Sequence, residues 1–237
     1  MKNNEILLTG GSGLLGTEIK NNAFDIIAPH HTEFDITNYE QMNSFINEHK
    51  NINTIIHGAA FISPPLIEKD PVKALEVNIV GTANIVKLCV QNNLHLIYIS
   101  TDYVYKGDKG KYSEDDELLP QNKYAWSKLG GETAVKLYDD SLIIRTSFCE
   151  SVFPYDKAFV DQFTSRDSVT VIAPMILKIA KNESLNGIIN VGTERKTIKG
   201  LAIKLGKKDV GDLKRDDVGF SVPYDTSFDL KKLKKLK

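Results

Sequence analysis

Tyr124 and Lys128 stand four residues apart, downstream of an apolar segment that runs into Thr101. On a helix, residues at this spacing lie on one face, so the phenol and the ammonium can address the same ligand. A nearby ammonium favours the phenolate, which should lower the tyrosine pKa toward the range useful for acid–base work. The same pair is common on solvated helices, so its interpretation depends on the rest of the chain.

A glycine-rich turn follows the first apolar segment of the chain. Residues 5–9 have the pattern of a buried strand, and Gly10-Gly-Ser-Gly-Leu-Leu-Gly16 leads from it into a helix-like stretch. Glycines at positions 10, 13 and 16 let the backbone turn tightly and approach a pyrophosphate, and the free N–H groups of the first helical turn attract its charge. The turn therefore predicts a dinucleotide-binding loop.

Apolar runs alternate with amphipathic stretches of helix length along the chain. The predicted strands are residues 5–9, 25–28, 53–57, 95–100, 141–146 and 187–191, and the predicted helices are residues 14–21, 38–49, 71–92, 122–138 and 170–181. This alternation predicts a Rossmann-like, doubly wound α/β fold with a parallel sheet. The pattern becomes less regular after Ser147. We therefore predict a dinucleotide-binding domain over residues 1–147 and a small, shortened substrate region over residues 148–237, partly packed back on the sheet.

The overall composition excludes several classes of function. The 237 residues include 30 basic and 31 acidic ones, a formal net charge of -1, which argues against nucleic acid or an anionic membrane as partner. Two cysteines provide neither a disulfide framework nor a zinc ligand set, so we expect no metal and a reducing compartment. No run of eighteen apolar residues occurs, and the glycine turn interrupts any leader-like segment. We expect a cytoplasmic protein.

Taken together, these segments resemble the extended short-chain dehydrogenases/reductases, and within them the dTDP-4-dehydrorhamnose reductase-like branch. The landmarks, in chain order, are residues 9–16, Phe34-Asp-Ile-Thr37, His57-Gly-Ala-Ala60, Val77-Asn78, residues 99–105, residues 124–128 with Gly131-Glu132, and Ile144-Arg-Thr-Ser147. The resemblance implies an NAD(P)-binding fold, NADPH or NADH as cofactor, and hydride transfer to or from a nucleotide-linked sugar. It leaves a homodimer open.

The same resemblance implies a role for each matching residue. Thr101 would hydrogen-bond the sugar carbonyl, Tyr124 would protonate its oxygen, and Lys128 would bind the nicotinamide ribose. The residues assigned to the cofactor are Gly10, Ser12, Gly13, Leu14, Leu15, Gly16, Asp35, Ile36, Ala59, Ala60, Asn78, Tyr124 and Lys128. Those assigned to the substrate are Thr101, Asp102, Tyr103 and Arg166. Asn78 would either order a water of a proton relay or simply satisfy backbone groups.

The residues that follow Thr101 favour one reaction. Similar sugar 4,6-dehydratases carry an Asp-Glu pair there, because elimination of water needs an acid and a base, whereas this chain has Asp102-Tyr103. We therefore expect reduction of the 4-keto group of a nucleotide-linked 4-keto-6-deoxysugar, in deoxysugar or polysaccharide precursor synthesis. A nucleotide-sugar epimerase and a non-catalytic NADP-binding regulatory subunit remain as alternatives.

Two stretches depart from the family pattern. Ala28-Pro-His-His31 contains neither an acid that would select NAD nor an Arg or Lys for a 2′-phosphate, so we expect weak discrimination between the cofactors. We interpret the two histidines as part of a polar loop in preference to a phosphate contact. The chain is also short between Ser147 and Gly187. We expect residues 161–167 to form a small lid there, with Arg166 available to a diphosphate.

Overall fold

The computed structural model describes residues 5–23, 26–182, 184–219 and 222–236. The strands are β1 (Glu5–Thr9), β2 (Ile26–Ile27), β3 (Ile52–His57), β4 (His95–Thr101), β5 (Ser141–Thr146), β6 (Phe148–Cys149), β7 (Lys157–Phe159), β8 (Phe163–Thr164), β9 (Asp167–Ser168), β10 (Gly187–Val191), β11 (Lys196–Thr197) and β12 (Gly211–Leu213). The central sheet has the order β10-β5-β4-β3-β1-β2, and its pairs are parallel. The predicted α/β class with a parallel sheet is confirmed.

Helices cover both faces of this sheet. They are α1 (Leu14–Asn22), α2 (Tyr39–Glu48), α3 (Pro64–Lys69), α4 (Val72–Ala74), α5 (Thr82–Asn92), α6 (Lys123–Val135), α7 (Val169–Ala180), α8 (Ile198–Lys204) and α9 (Lys231–Lys234). One core joins the sheet to α1, α7 and α9, and a second joins it to α2, α5 and α6. Adjacent strand residues point to opposite faces, so Leu7 lies in the second core and Leu8 in the first.

The predicted helix over residues 71–92 is interrupted by a wider turn. It forms as α4, a π-helical segment Leu75–Gly81, and α5. Such widened segments occur mostly as short insertions in α-helices, often at functional sites. The short helix α3, which precedes it, was missed by the sequence prediction, because Ser63-Pro-Pro65 reads as a break. Proline is nevertheless well accommodated in a first helical turn, where its missing N–H has no partner to lose.

The polypeptide beyond Ser147 is built differently. Strands of two or three residues pair there as β6 with β9, β7 with β12, and β8 with β11. Two elements of the same stretch belong instead to the central layers, because α7 packs into the first core and β10 extends the sheet. The division between residues 147 and 148 stays a prediction.

The strand order places a cleft at the carboxyl edge of the sheet. β1 lies between β2 and β3, so the connections that leave β1 and β3 diverge to opposite sides, which is where ligands bind in open α/β sheets. A cavity of about 1220 Å³ lies there, lined by segments that follow β1, β2, β3, β4 and β5. Among the described residues, no helix is both long and apolar enough to cross a membrane.

Candidate active site

The glycine turn after β1 forms one wall of the cleft. Gly10 has a positive φ of 76°, and a Cβ there would lie 2.7 Å from the Ala59 nitrogen. A Cβ on Gly16 would lie 2.3 Å from the Gly10 oxygen, so this glycine lets α1 pack against the turn. A Cβ on Gly13 meets only the Gly10 oxygen, at 3.4 Å. Gly10 and Gly16 are thus needed for packing, and Gly13 leaves room for a ligand beside the amino end of α1.

The segment after β3 forms the floor of the cleft, and a buried histidine holds it in place. The Ala59 nitrogen donates to Thr9 Oγ1 at 3.2 Å, and Thr9 Oγ1 lies 2.8 Å from His57 Nδ1. His57 Nε2 lies 3.1 Å from Thr82 Oγ1, which itself donates to a helix carbonyl. The imidazole therefore donates through Nε2 and accepts at Nδ1. Burial, together with the charge of Lys128, lowers the pKa of His57 to about 3, so the ring is neutral.

Thr101, Tyr124 and Lys128 line the same cleft as the glycine turn. Thr101 ends β4, and the other two side chains come from α6, which begins where Asn122 Oδ1 accepts from the Ala125 nitrogen at 2.8 Å. Thr101 and Lys128 are buried, and Tyr124 is half-buried. The fold therefore brings together the three residues that the sequence pattern singled out.

The electrostatics of this group differ from the sequence prediction. Burial lowers the pKa of Lys128 to about 7, although the Glu132 carboxylate acts in the opposite direction. Burial, with a further effect of the Asp102 carboxylate, raises the pKa of Tyr124 to about 12. The prediction that Lys128 lowers the tyrosine pKa is wrong for this structure. The lysine Nζ instead lies 4.2 Å from the centre of the Tyr98 ring.

A buried ion pair fixes α6 on the sheet. Arg145 Nη2 on β5 lies 2.9 Å from Glu132 Oε2 on α6, and both side chains are about 1% exposed. Ser100 Oγ on β4 also donates to Glu132, and Arg145 Nη1 donates to Tyr105 Oη at 2.9 Å. Removing one partner of such a pair leaves an uncompensated buried charge, so the network resists movement of the helix. It thereby positions Lys128 one helical turn before Glu132.

The predicted substrate residues line the cleft close to Tyr124, since Asp102, Tyr103 and Arg166 all affect its pKa. Asp102 is buried, and it accepts from Thr101 Oγ1 at 3.3 Å and from Thr226 Oγ1 at 2.7 Å. Arg166 donates through Nε to Ser147 Oγ at 2.9 Å. Burial raises the pKa of Asp102, and the Arg166 charge partly opposes this effect. Tyr103 lines the cleft beside them.

The remaining predicted residues divide into two groups. Ser12, Leu14, Leu15, Asp35, Ile36, Ala59 and Ala60 line the cleft. Asn78 does not line it. Its Oδ1 accepts from the Phe61 nitrogen at 2.7 Å, and its Nδ2 donates to the Phe61 oxygen at 2.9 Å and to Ser127 Oγ at 2.8 Å. The assignment of Asn78 to the cofactor stays a prediction, and these contacts agree with the alternative in which it satisfies polar groups of the fold.

Several residues at the cleft were not assigned to it from the sequence. They are Lys20, His30, His31, Ile62, Ser147, Phe148 and Tyr155, which line it, and Thr226, which contacts Asp102. No spacing rule connects residues so distant in sequence. The position of the histidine pair could be recognised in the sequence, because the pair closely follows the second predicted strand.

Comparison with known proteins agrees with this geometry. The family model for the RmlD substrate binding domain matches residues 4–179. The chain belongs to the RmlD family. The resemblance predicted from the sequence motifs is thereby confirmed.

Relatives and solved structures place this RmlD-family chain among proteins named as reductases. A dTDP-4-dehydrorhamnose reductase of Aggregatibacter actinomycetemcomitans is 31% identical over 210 residues, which cover 85% of this chain and 71% of the relative. The dTDP-4-dehydrorhamnose reductase of Bacillus anthracis, solved in complex with NADP, is 27% identical with a TM-score of 0.89, covering 99% of this chain and 93% of that one. A hypothetical dTDP-4-dehydrorhamnose reductase from Sulfolobus tokodaii is 30% identical with a TM-score of 0.86, covering 98% and 94%. Sequence alignments with curated relatives span 42% to 71% of their length.

Proposed function

We propose that this RmlD-family chain is a cytoplasmic NAD(P)H-dependent reductase. It reduces the 4-keto group of a nucleotide-linked 4-keto-6-deoxysugar, as in the synthesis of deoxysugar precursors. The observation that carries the proposal is the convergence of Thr101, Tyr124 and Lys128 with the glycine turn on one cleft. The reductases named above support the substrate class.

The shape of the cleft supports a dinucleotide. The main chain around Gly13 leaves space for a ligand beside the amino end of α1, and a larger side chain at this position would project into that space. Ala59 and Ala60 provide small side chains to the cleft, and Lys128 on α6 lines the same cleft. When bound there, the nicotinamide cofactor supplies the hydride. The protein would position the cofactor and the sugar, and it would supply the proton.

Tyr124 is the proton donor in this proposal. The Tyr124 phenol would transfer its proton to the carbonyl oxygen of the sugar as that carbonyl is reduced, which would leave a phenolate on the tyrosine. A pKa of about 12 keeps Tyr124 protonated at neutral pH. Lys128, with its pKa of about 7, gains positive charge readily when an anionic group forms near it.

The opposite end of the cleft would hold the sugar nucleotide. Arg166 offers a planar cation that suits a diphosphate, and its Nε contact with Ser147 fixes the direction of the guanidinium. Asp102 and Tyr103 line the same cleft as this cation and Thr101, and they are the further candidates for contact with sugar hydroxyls.

The proposal is tested by following oxidation of NADPH and of NADH in the presence of nucleotide-linked 4-keto-6-deoxysugars with different nucleotides. We expect one sugar nucleotide to support turnover by the wild type and to be inactive with Tyr124→Phe. Binding of the dinucleotide without turnover would favour the regulatory subunit. Interconversion of sugars with no net oxidation of the cofactor would favour the epimerase.

A further inference from the structure

We propose that Tyr98 is a positioning residue of the active site, which holds the Lys128 ammonium against the face of its ring and the Lys128 main chain through its hydroxyl. The inference deepens the proposed function and rests on it for the effect on the reaction. The contact between the two side chains does not depend on that function. Tyr98 lies on β4, just before Thr101, and the sequence motifs gave it no role.

The first argument is the position of the ring. Tyr98 points from β4 to the face of the sheet that α6 covers, where it lies in the second core with no exposed surface. Lys128 Nζ lies over this ring, 4.2 Å from its centre. The face of an aromatic ring carries negative charge, so it attracts a cation, and the attraction is stronger where water is excluded. The ring therefore stabilises the ammonium on the side of α6 that faces the sheet.

The second argument is that the hydroxyl of Tyr98 contacts the same residue as the ring. Tyr98 Oη donates to the Lys128 oxygen at 3.2 Å. The phenol can approach α6 this closely because residue 131 is a glycine, where a Cβ would lie 2.4 Å from Tyr98 Oη. One side chain thus contacts both the main chain of Lys128 and its charged end, and this fixes the direction of the lysine relative to the sheet.

The third argument is that little else compensates the charge of Lys128. Its acidic neighbour on α6 is Glu132, whose Oε2 lies 2.9 Å from Arg145 Nη2, so this carboxylate already belongs to an ion pair. Burial lowers the pKa of Lys128 to about 7, although the Glu132 charge acts in the opposite direction. Neither influence is a hydrogen bond to Nζ. The face of the Tyr98 ring acts against the effect of burial at this position.

The other titratable groups around the ammonium are neutral at neutral pH. The centre of the His57 ring on β3 lies 5.6 Å from that of Tyr98, and burial, together with Lys128, lowers the pKa of His57 to about 3. Burial raises the pKa of the Tyr98 phenol well above its usual range, and the pKa of Tyr124 is raised to about 12. These groups add no negative charge. Weakening the ring face should therefore lower the pKa of Lys128 further.

The experiment changes the charge of the ring face while keeping its shape. Tyr98→Phe keeps the face and removes the hydroxyl, and trifluorophenylalanine at the same position removes most of the negative charge of the face. The pKa of Lys128 is measured in the ligand-free protein by NMR of carbon-labelled lysine, and the Lys128 signal is identified by its loss in Lys128→Met. We expect a pKa close to the wild-type value in Tyr98→Phe, and one lower by about one in the fluorinated protein.

The pH profile of kcat/KM provides the functional measurement. In the proposed function Lys128 binds the nicotinamide ribose, and its ammonium form is the stronger hydrogen-bond donor. The value of kcat/KM should therefore fall as the pH rises through the pKa of Lys128. With the fluorinated ring this fall should begin at lower pH, so that near pH 8 the fluorinated protein has a kcat/KM about tenfold below that of Tyr98→Phe.

The matched control is a second pair of a lysine and a tyrosine ring, on the surface of the molecule. Lys87 Nζ lies 3.9 Å from the centre of the Tyr39 ring, and neither residue lines the cleft. The same two replacements at Tyr39 should change neither the pKa of Lys128 nor the profile of kcat/KM.

Equal pKa values of Lys128 in Tyr98→Phe and in the fluorinated protein would overturn the contact with the ring. A lowered pKa with an unchanged profile of kcat/KM would overturn the role of Tyr98 in the reaction. If the wild type reduces no sugar nucleotide, the proposed function fails, and the role of Tyr98 in the reaction fails with it. The NMR measurement in the ligand-free protein would still decide whether the ring stabilises the ammonium.

Discussion

Two regions of this molecule are stabilised by different kinds of contact. Up to Ser147, the sheet is built from strands such as β4 with seven residues, whose aliphatic side chains fill a core on each face. The short-strand region, defined as the described residues of 148–168 and 192–229, has strands of two or three residues. Buried polar side chains such as Asp167 and Asp225 tie those strands together.

This difference shows how the cleft divides its tasks. In the proposed function, the part up to Ser147, here called the long-strand part, would present main chain and small side chains to the dinucleotide, through the glycine turn and Ala59. The short-strand region would present side chains to the substrate, chiefly Arg166, and it contacts Asp102 through Thr226. In this proposal the first part fixes the shape of the dinucleotide site, and the second part places charged side chains at the substrate site. The predictions below test this division.

The largest effect is expected for Tyr124→Phe. The change removes the phenol and keeps the ring, so turnover should fall by about two to four orders of magnitude, while binding of the dinucleotide should stay unchanged. Turnover is measured by NAD(P)H oxidation, and binding by calorimetry. Tyr39→Phe is the matched control, because Tyr39 lies on α2 and is not among the residues that line the cleft, and it should retain most of the activity. Near-normal turnover in Tyr124→Phe would move the proton donor to Asp102 or Tyr103.

Gly13→Val tests whether backbone shape binds the cofactor. Gly13 has φ -75° and ψ 172°, a conformation open to valine, so the fold should survive. The side chain would occupy the place of the pyrophosphate, and we expect affinity for both dinucleotides to fall more than about a hundredfold, or 2.7 kcal/mol.

Gly16→Ala provides the contrast to this substitution. A Cβ there would meet the Gly10 oxygen at 2.3 Å, so this variant should lose thermal stability as well as cofactor affinity. Unchanged calorimetric affinity in Gly13→Val would remove the glycine turn from the dinucleotide site.

Asp167→Asn tests the polar support of the short-strand region. Asp167 is fully buried and accepts from Lys204 Nζ and Thr193 Oγ1, each at 2.6 Å. Since a hydrogen bond to a charged group contributes about 2 kcal/mol, we expect a loss of this order in the free energy of unfolding, measured with urea at pH 7.

The same substitution has a defined pH dependence. Burial acts to raise the pKa of Asp167, but the contacts from Lys204 and Thr193 outweigh it, and the pKa is lowered. A lowered folded-state pKa gives stability that is fully present above the unfolded value, about 3.9, and is lost as the pH falls through the folded value. The difference between wild type and Asp167→Asn should therefore narrow below that pH. A constant difference would contradict the ionised state of Asp167.

Arg166→Ala should raise the KM for the sugar nucleotide several-fold and leave cofactor affinity unchanged, because the proposed function places this guanidinium of the cleft against the sugar nucleotide. The substitution should also raise the pKa of Asp102, since burial already raises it and the arginine charge opposes that effect. The acid limb of the pH profile of kcat/KM should then move to higher pH. Arg166→Lys should restore that limb in part without restoring the KM, because lysine lacks the planar fork. Weaker NADPH binding would instead place this segment over the cofactor.

The smallest effect is expected for Thr226→Val. This nearly isosteric change removes the hydroxyl that donates to Asp102 Oδ2 at 2.7 Å. We expect kcat to fall a few-fold, about tenfold at most, from the loss of one hydrogen bond to a buried carboxyl group. Stopped-flow measurement of a single turnover gives the chemical step directly. If that step and its pH profile are unchanged, the contact between Thr226 and Asp102 has no part in positioning.

The sequence predicted the long-strand part well, because strands of five to seven residues carry a periodic signal in their aliphatic side chains. It also located Thr101, Tyr124 and Lys128, whose motifs are local. Strands of two residues have no period, so the short-strand region could not be resolved in this way. The π-helical turn that aims Asn78 at Phe61 also left no signature in the spacing.

Electrostatic roles were harder to predict than positions. Whether Lys128 changes the pKa of Tyr124 depends on how deeply each is buried, and burial depends on the whole fold. Lys20 and His31 illustrate the same limit for positions, since both line one cleft only in a fold in which β2 pairs with β1. Thr226 contacts Asp102 across 124 residues of sequence, and no local pattern anticipates it.

That contact has a consequence for the synthesis of the protein. Residues 225–229 hydrogen-bond to the segment that follows Asp102, through Gly107, Lys111 and Tyr112. When the ribosome has synthesised every strand of the central sheet, it has therefore not yet synthesised residues 225–229, which contact the segment beside the proposed substrate site. A nascent chain should acquire the ability to bind a dinucleotide before it acquires the ability to reduce a sugar. Reductase activity would begin only when residue 229 has left the exit tunnel, so incomplete chains would hold cofactor without consuming it.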